Sequence, residues 1–170
     1  QDTAELWLDC NVHGRSINDM EKARFLDVQG QVQNTTSKSI ANDWCEVLDL
    51  PKRPETVEDY RLFLTLPKKM QSAIANGALS PTIASQLLPH RERQLIFDAV
   101  ICKIQASRTE TRQIIDMLSD ISIDRECKIS EVLSDSAFAD ILADNTLNAH
   151  ARAKKLRQAL MAIRQPEHTR

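Results

Sequence analysis

The sequence predicts an all-α protein of about eight or nine short helices, and three observations carry that reading. Helix-favouring Ala, Leu, Ile, Gln, Lys, Arg and Glu dominate. Aromatic residues make up only 4% of the chain and there are only three glycines, so strand and turn material is scarce. Apolar residues recur at three- and four-residue steps in almost every stretch, and no run alternates apolar and polar residues for long.

The elements follow in order. "INDMEKARFLDVQG" places Asn18 as an N-cap with Glu21 three residues on, the reciprocal capping box, and Gly30 suits the left-handed position at the helix end. "TTSKSIANDWCEVLDL" gives a second helix capped at Thr36 or Ser37, in which Ile40, Trp44 and Val47/Leu48 recur at helical spacing. Pro54 can start a third helix, because its missing N–H costs nothing in the first turn; Val57, Tyr60 or Arg61, and Leu64 follow at helical spacing. Pro67 starts a fourth, with Met70, Ala73 and Ile74 inward and Gly77 at its end. Ser80-Pro81 starts a fifth, with Ile83, Ala84, Leu87 and Leu88 inward, and Pro89 stops it. "RERQLIFDAVICKI" is a sixth, with Ile96, Val100 and Ile104 at four-residue intervals. "SRTETRQIIDML" carries a second capping box, Ser107 and Glu110, before Ile114, Ile115 and Leu118. Residues 119–130 read as a linker or a frayed helix end. One or two short helices follow in "SEVLSDSAFADILAD". A long helix then carries the stripe Ala149, Ala153, Leu156, Leu160 and Ile163, with Pro166 ending it. This divides the chain into residues 1–17, the end of an upstream domain or linker; 18–118, a helical domain; and 119–170, a C-terminal helical extension.

The 170 residues can fill a core, at 42% hydrophobic content. A net charge of −2 gives no global basic signature of nucleic-acid binding, although a local patch is compatible with it. The four cysteines lie at 10, 45, 102 and 127 with no CxxC pair, which predicts reduced thiols in a cytoplasmic protein. The apolar runs are too short for a membrane span. The chain opens at Gln1 in mid-pattern with "TAELWLDC", which predicts a fragment lacking what precedes it. His13, His90, His150 and His168 are scattered without a ligand partner at i+3 or i+4. There is no glycine-rich phosphate loop and no nucleophile elbow. No catalytic residue, metal ligand or cofactor is expected within this stretch.

Two short helices joined by a turn, with the second free to project, suggest a helix-turn-helix over about 36–66. Several motifs give this a name. "CNVHGRSINDMEKARFL" (10–26) resembles the junction of ParB-like partition proteins, where a nucleotide-binding domain hands over to a helical DNA-binding domain through an "EN-x-x-R…L-N-P-x-E-x-A" run. Asn11, Arg15, Ile17, Asn18, Glu21 and Ala23 fall in that register, with one extra residue before Arg15. "SKSIANDW" is similar to the family's first helix of the helix-turn-helix. "TVEDYRLFLTLPKKMQSAIANGALSPTIASQLL" resembles the stretch in which the reading helix ends in "L-x-L-P" and a G-x-L-S run follows; Val57, Leu64, Leu66, Pro67, Ile74, Gly77, Leu79, Ser80, Ala84, Leu87 and Leu88 all fit. "SRTETRQII" resembles the family's following helix. The resemblance covers about residues 10–118, and its specific part runs from Leu64 to Leu88.

The resemblance implies a non-catalytic DNA-binding domain that acts on double-stranded DNA as a homodimer, with a partition ATPase as a further partner and a nucleoid location. CTP and Mg would belong only to the absent N-terminal domain. The glutamate of the "EN" motif is Cys10 here, and "DLPKRP" lengthens the connection between the two helices. Residues 119–170 do not resemble the family's dimerisation tail.

Charge complicates that expectation. Phosphate contacts come mainly from Lys and Arg, yet residues 36–66 hold four Lys/Arg against six acids, three of the acids (Glu55, Glu58, Asp59) within the reading helix. Residues 68–118 hold seven Lys/Arg against four acids. The expected DNA contacts are therefore Lys38, Lys52, Arg53, Thr56 and Arg61 around the reading helix, with Lys68, Lys69, Arg108 and Arg112 on later helices. Arg152, Lys154, Lys155 and Arg157 form a candidate second basic patch. The alternative is a derived ParB-like module whose acidic helix faces a protein partner or solvent, serving protein–protein contact or transcriptional regulation.

Overall fold

The computed structural model describes residues 16–33 and 35–164. Among them are ten α-helices and no strand: α1 Asp19–Gln33, α2 Ser37–Trp44, α3 Pro54–Phe63, α4 Lys68–Ala75, α5 Pro81–Leu87, α6 Arg93–Ile96, α7 Arg108–Asp124, α8 Ile129–Leu133, α9 Ser136–Ala143 and α10 Ala149–Arg164. A π-helical segment, Phe97–Cys102, continues α6. The chain packs as two compact units divided between Leu88 and Pro89.

In the first unit α3 is the central element, packed against α1, α2 and α5. Its inward residues are Val57, Tyr60 and Phe63; Phe63 is 0% exposed. Tyr60, not Arg61, takes the apolar position, and Leu64 is only half-buried. The Tyr60 hydroxyl donates to Asp19 Oδ1 at 2.9 Å, and burial with that carboxylate beside it pushes the phenol far above its ordinary value. Asp19 lies in the turn that the Asn18 capping box fixes. Asn18 Oδ1 accepts from the amides of Met20 and Glu21 at 3.0 Å each, and Glu21 Oε2 accepts from the Asn18 amide at 3.0 Å.

Gly30 does not end α1, as its spacing predicts, because the helix runs on to Gln33. The glycine makes room instead: a Cβ there would lie 3.1 Å from Cζ of Arg61. The guanidinium crosses α1 at that point and its Nε donates to Asp27 Oδ1 at 3.1 Å. At the C-terminal end of α3, Gln71 is a buried polar residue whose amide donates to the carbonyls of Leu64 and Leu66 at 2.9 and 2.8 Å. It holds the turn that delivers the chain into α4.

The connection from α2 to α3 is shaped by an end-of-helix motif. Helical turns continue past Trp44. The Leu50 amide then donates to Cys45 O at 2.8 Å and the Asp49 amide to Glu46 O at 3.1 Å. Asp49 is left-handed, with φ 54°. This is the Schellman arrangement, normally built on glycine.

In the second unit α7 does not end at Leu118. It continues to Asp124 with Ile121 buried, so the predicted boundary at 118/119 falls inside a helix. α10 packs along α7 through Ala153, Leu156 and Leu160, each 0% exposed; residues 119–164 therefore belong to the unit that begins at Pro89. The expected stop at Pro166 and the expected 1–17 segment fall on or beside residues outside those described. Ile96, Val100 and Ile104 are all buried, although the turns between them are partly π-helical. Both capping-box members expected for α7 are in place, with the Ser107 hydroxyl accepting from the Glu110 amide at 3.3 Å and Glu110 Oε2 accepting from the Ser107 amide at 3.2 Å.

α7 ends in a second Schellman turn, Cys127 N to Ser122 O at 3.1 Å, with Glu126 at φ 51°. A left-handed residue with a Cβ costs about 1–2 kcal/mol. Glu126→Gly should therefore raise the unfolding free energy by roughly 1 kcal/mol once the extra freedom of the unfolded glycine is subtracted. A urea melt of the two proteins checks it.

Two charged groups link this unit to pH. Glu92 caps α8 from 38 residues away: Ser130 N donates to Glu92 Oε1 at 3.3 Å and to Oε2 at 3.4 Å. The contact with Ser130 holds the carboxyl below its usual range, so its contribution is present above about pH 4.3 and fades as pH falls through the folded value. Burial pushes the imidazole of His90 below its ordinary value, with Asp116 partly opposing; its Nε2 lies 3.4 Å from Ser119 Oγ. A depressed histidine leaves the unfolded chain with more bound protons, so stability rises with pH across that interval. The protein should lose stability as pH falls from above to below about 6.5, and His90→Asn should flatten that part of the profile. Denaturant midpoints collected between pH 5 and 8 would show it.

Candidate nucleic-acid interface

Among the described residues of the first unit, five of the six exposed cations lie at or just before helix starts, and the sixth, Arg24, lies in the middle of α1. Lys38 is the second residue of α2. Lys52 and Arg53 close the loop after Asp49, and Arg53 is the N-cap of α3 in an extended conformation with Pro54 next. Lys68 and Lys69 are the first two residues of α4, after Pro67. All five side chains are exposed. Lys52 lies 3.8 Å from Glu46, whereas Lys38, Arg53 and Lys68 have no ion-pair partner among the described residues.

This placement runs against helix electrostatics. A helix N-terminus carries about half a positive charge, and a cation there costs roughly 0.3–1 kcal/mol. α2 and α4 have no acidic residue in the first turn to offset it. The N-terminal amides of α3 and α4 also have no side-chain cap, since Arg53 and Pro67 cannot supply one. Open amides beside a free cation are what an anion contacts.

The helix between these cations has a different outward face. Glu55, Glu58 and Leu62 are exposed at i, i+3 and i+7; Thr56 and Asp59 are half-buried. Leu62 is 46% exposed. Arg61, expected to read DNA, is turned back onto Asp27 and Gly30. Its long-range partner leaves no local mark in the sequence.

The second unit holds the remaining candidates. Arg108 opens α7 and is exposed; Arg112 is exposed, with Nε 3.9 Å from Asp116. The expected basic patch on α10 is largely tied down. Arg152 donates to the carbonyls of Lys103 at 2.6 Å, Asp144 at 2.9 Å and Leu147 at 3.2 Å. Arg157 donates to Gln113 Oε1 at 2.5 Å and lies 3.6 Å from Glu110. Lys155 lies 4.0 Å from Asp144. Lys154 alone of the four is exposed without an ion-pair partner among the described residues. Glu110 is the hub of this network: the Ser107 hydroxyl above all, then His150, holds its carboxyl below the usual range.

Other chemistry is sparse among the described residues. No group of His, Cys, Asp or Glu is arranged to hold a metal ion. Burial pushes the Cys45 thiol up, away from a reactive thiolate. Among the described residues no helix is long and apolar enough to cross a membrane. The chain matches no family model, no curated protein and no solved structure.

Proposed function

We propose that this chain is a DNA-binding module of ParB-like type that holds duplex DNA through the first unit without catalysing a reaction. The observation that carries the reading is the set of exposed cations at the starts of α2, α3 and α4, placed against the helix dipoles, with Lys38, Arg53 and Lys68 unpaired among the described residues. A position that opposes helix stability has its rationale in a ligand, and phosphate oxygens suit both the side chains and the open amides. Charge neutralisation supplies the affinity. The motifs between Leu64 and Leu88 support the partition-type reading. A homodimer, a partition ATPase partner, a nucleoid location and an upstream nucleotide-binding domain belong to that same reading.

A second reading rests on the outward residues of α3. Glu55, Glu58 and Leu62 would suit a basic protein segment, and the module would then serve protein contact or regulation. Amide NMR spectra of the full chain, titrated with a 20-base-pair duplex at low salt, separate the two. In the DNA reading, amides at the starts of α2, α3 and α4 move together and saturate. Unchanged spectra at millimolar duplex would exclude it.

A further inference from the structure

We infer that α3 reads cytosine in the major groove, through Glu55 and Glu58. The inference rests on the duplex-DNA reading and names what that site selects. The face that α3 turns outward bears hydrogen-bond acceptors: Glu55 and Glu58 are exposed carboxylates one turn apart, and neither has a hydrogen-bond or ion-pair partner among the described residues. The helix's only cation, Arg61, is drawn back to Asp27, so the outward face has no guanidinium to pair with guanine O6 and N7.

An acceptor-bearing face selects base edges that donate. In the major groove these are the amino groups of cytosine N4 and adenine N6. Adenine presents the N7 acceptor beside its amino group, and that lone pair repels a carboxylate. Cytosine presents the amino group alone, so it is the better match. Glu55 and Glu58 are about 4.5 Å apart along the helix, close enough to serve bases one or two steps apart. Leu62, a further turn along and exposed, suits a thymine methyl. The cost of bringing carboxylates near phosphates is offset at both ends of the helix, by Arg53 before it and by Lys68 after it, both exposed.

The test is selection of duplexes from a randomised pool by the full chain, followed by sequencing, with wild type, Glu55→Gln and Glu58→Gln in parallel. Both glutamates are exposed, so these changes leave the fold intact; melting curves of the variants check it. The wild type should enrich cytosine at two nearby positions. Each glutamine variant should lose the preference at one of them by about tenfold and gain adenine there, because an amide pairs with adenine N6 and N7. Enriched sites whose cytosines are indifferent to both variants, or retention without enrichment, would overturn the inference and leave the DNA reading standing. Retention of no duplex at low salt would overturn both.

Discussion

Phe63→Ala should lower the unfolding free energy by about 3–5 kcal/mol. Phe63 is fully buried at the centre of the first unit, on the helix against which α1, α2 and α5 pack. Removing the ring leaves a cavity that these helices can close only in part. A unit of this size shifts its melting temperature by roughly 4–8 °C per kcal/mol, so the variant should melt at least 12 °C lower. The adjacent residue is the control. Leu62 is also a large apolar side chain, but it is half exposed, and Leu62→Ala should change stability by no more than about 0.5 kcal/mol. Urea denaturation of the two variants measures the contrast. Equal losses would mean that α3 does not present the faces described for it.

Replacing Lys38, Arg53 and Lys68 together by alanine should weaken duplex binding on the order of 100-fold. A charge-assisted hydrogen bond to phosphate contributes about 1 kcal/mol or more, and three independent contacts compound. The same variant should be as stable as the wild type or slightly more so, because each cation sits at the positive end of a helix dipole. This opposition of signs separates a ligand-binding role from a structural one. Arg152 supplies the opposite case: it donates to three backbone carbonyls, and alanine there should cost stability first. Fluorescence anisotropy on a labelled duplex, with a melt of each variant, gives both numbers.

Much of the fold is legible in local signals because those signals act locally. The capping boxes at Asn18/Glu21 and Ser107/Glu110, the prolines at 54 and 81, and the turn at Gly77 are each settled within four residues of chain. What could not be read depends on partners far away in sequence. Gly30 looks like a helix end, yet its purpose is to admit Arg61, 31 positions on. Residues 119–124 look frayed by composition, but burial of Ile121 keeps α7 intact. Asp49 ends a helix in a conformation that glycine usually takes.

The candidate site divides in the same way. Lys38, Arg53 and Lys68 are recognisable from position alone, since a cation at a helix start is unusual in any chain. Arg61, Arg152 and Arg157 carry the same charge in the sequence. Asp27, three backbone carbonyls and the Glu110–Gln113 pair claim them in the fold. Charge counting cannot distinguish a guanidinium that is free from one that is spoken for.

The most direct test of the central claim is the salt dependence of duplex binding by the full chain. If Lys38, Arg53 and Lys68, with their neighbours, neutralise phosphates, the logarithm of the binding constant should fall linearly with the logarithm of salt concentration, losing about 0.9 in slope for each phosphate contacted. The triple alanine variant should be shallower by about 3. Absence of binding at 50 mM salt, or a slope that the three substitutions leave unchanged, would contradict the account.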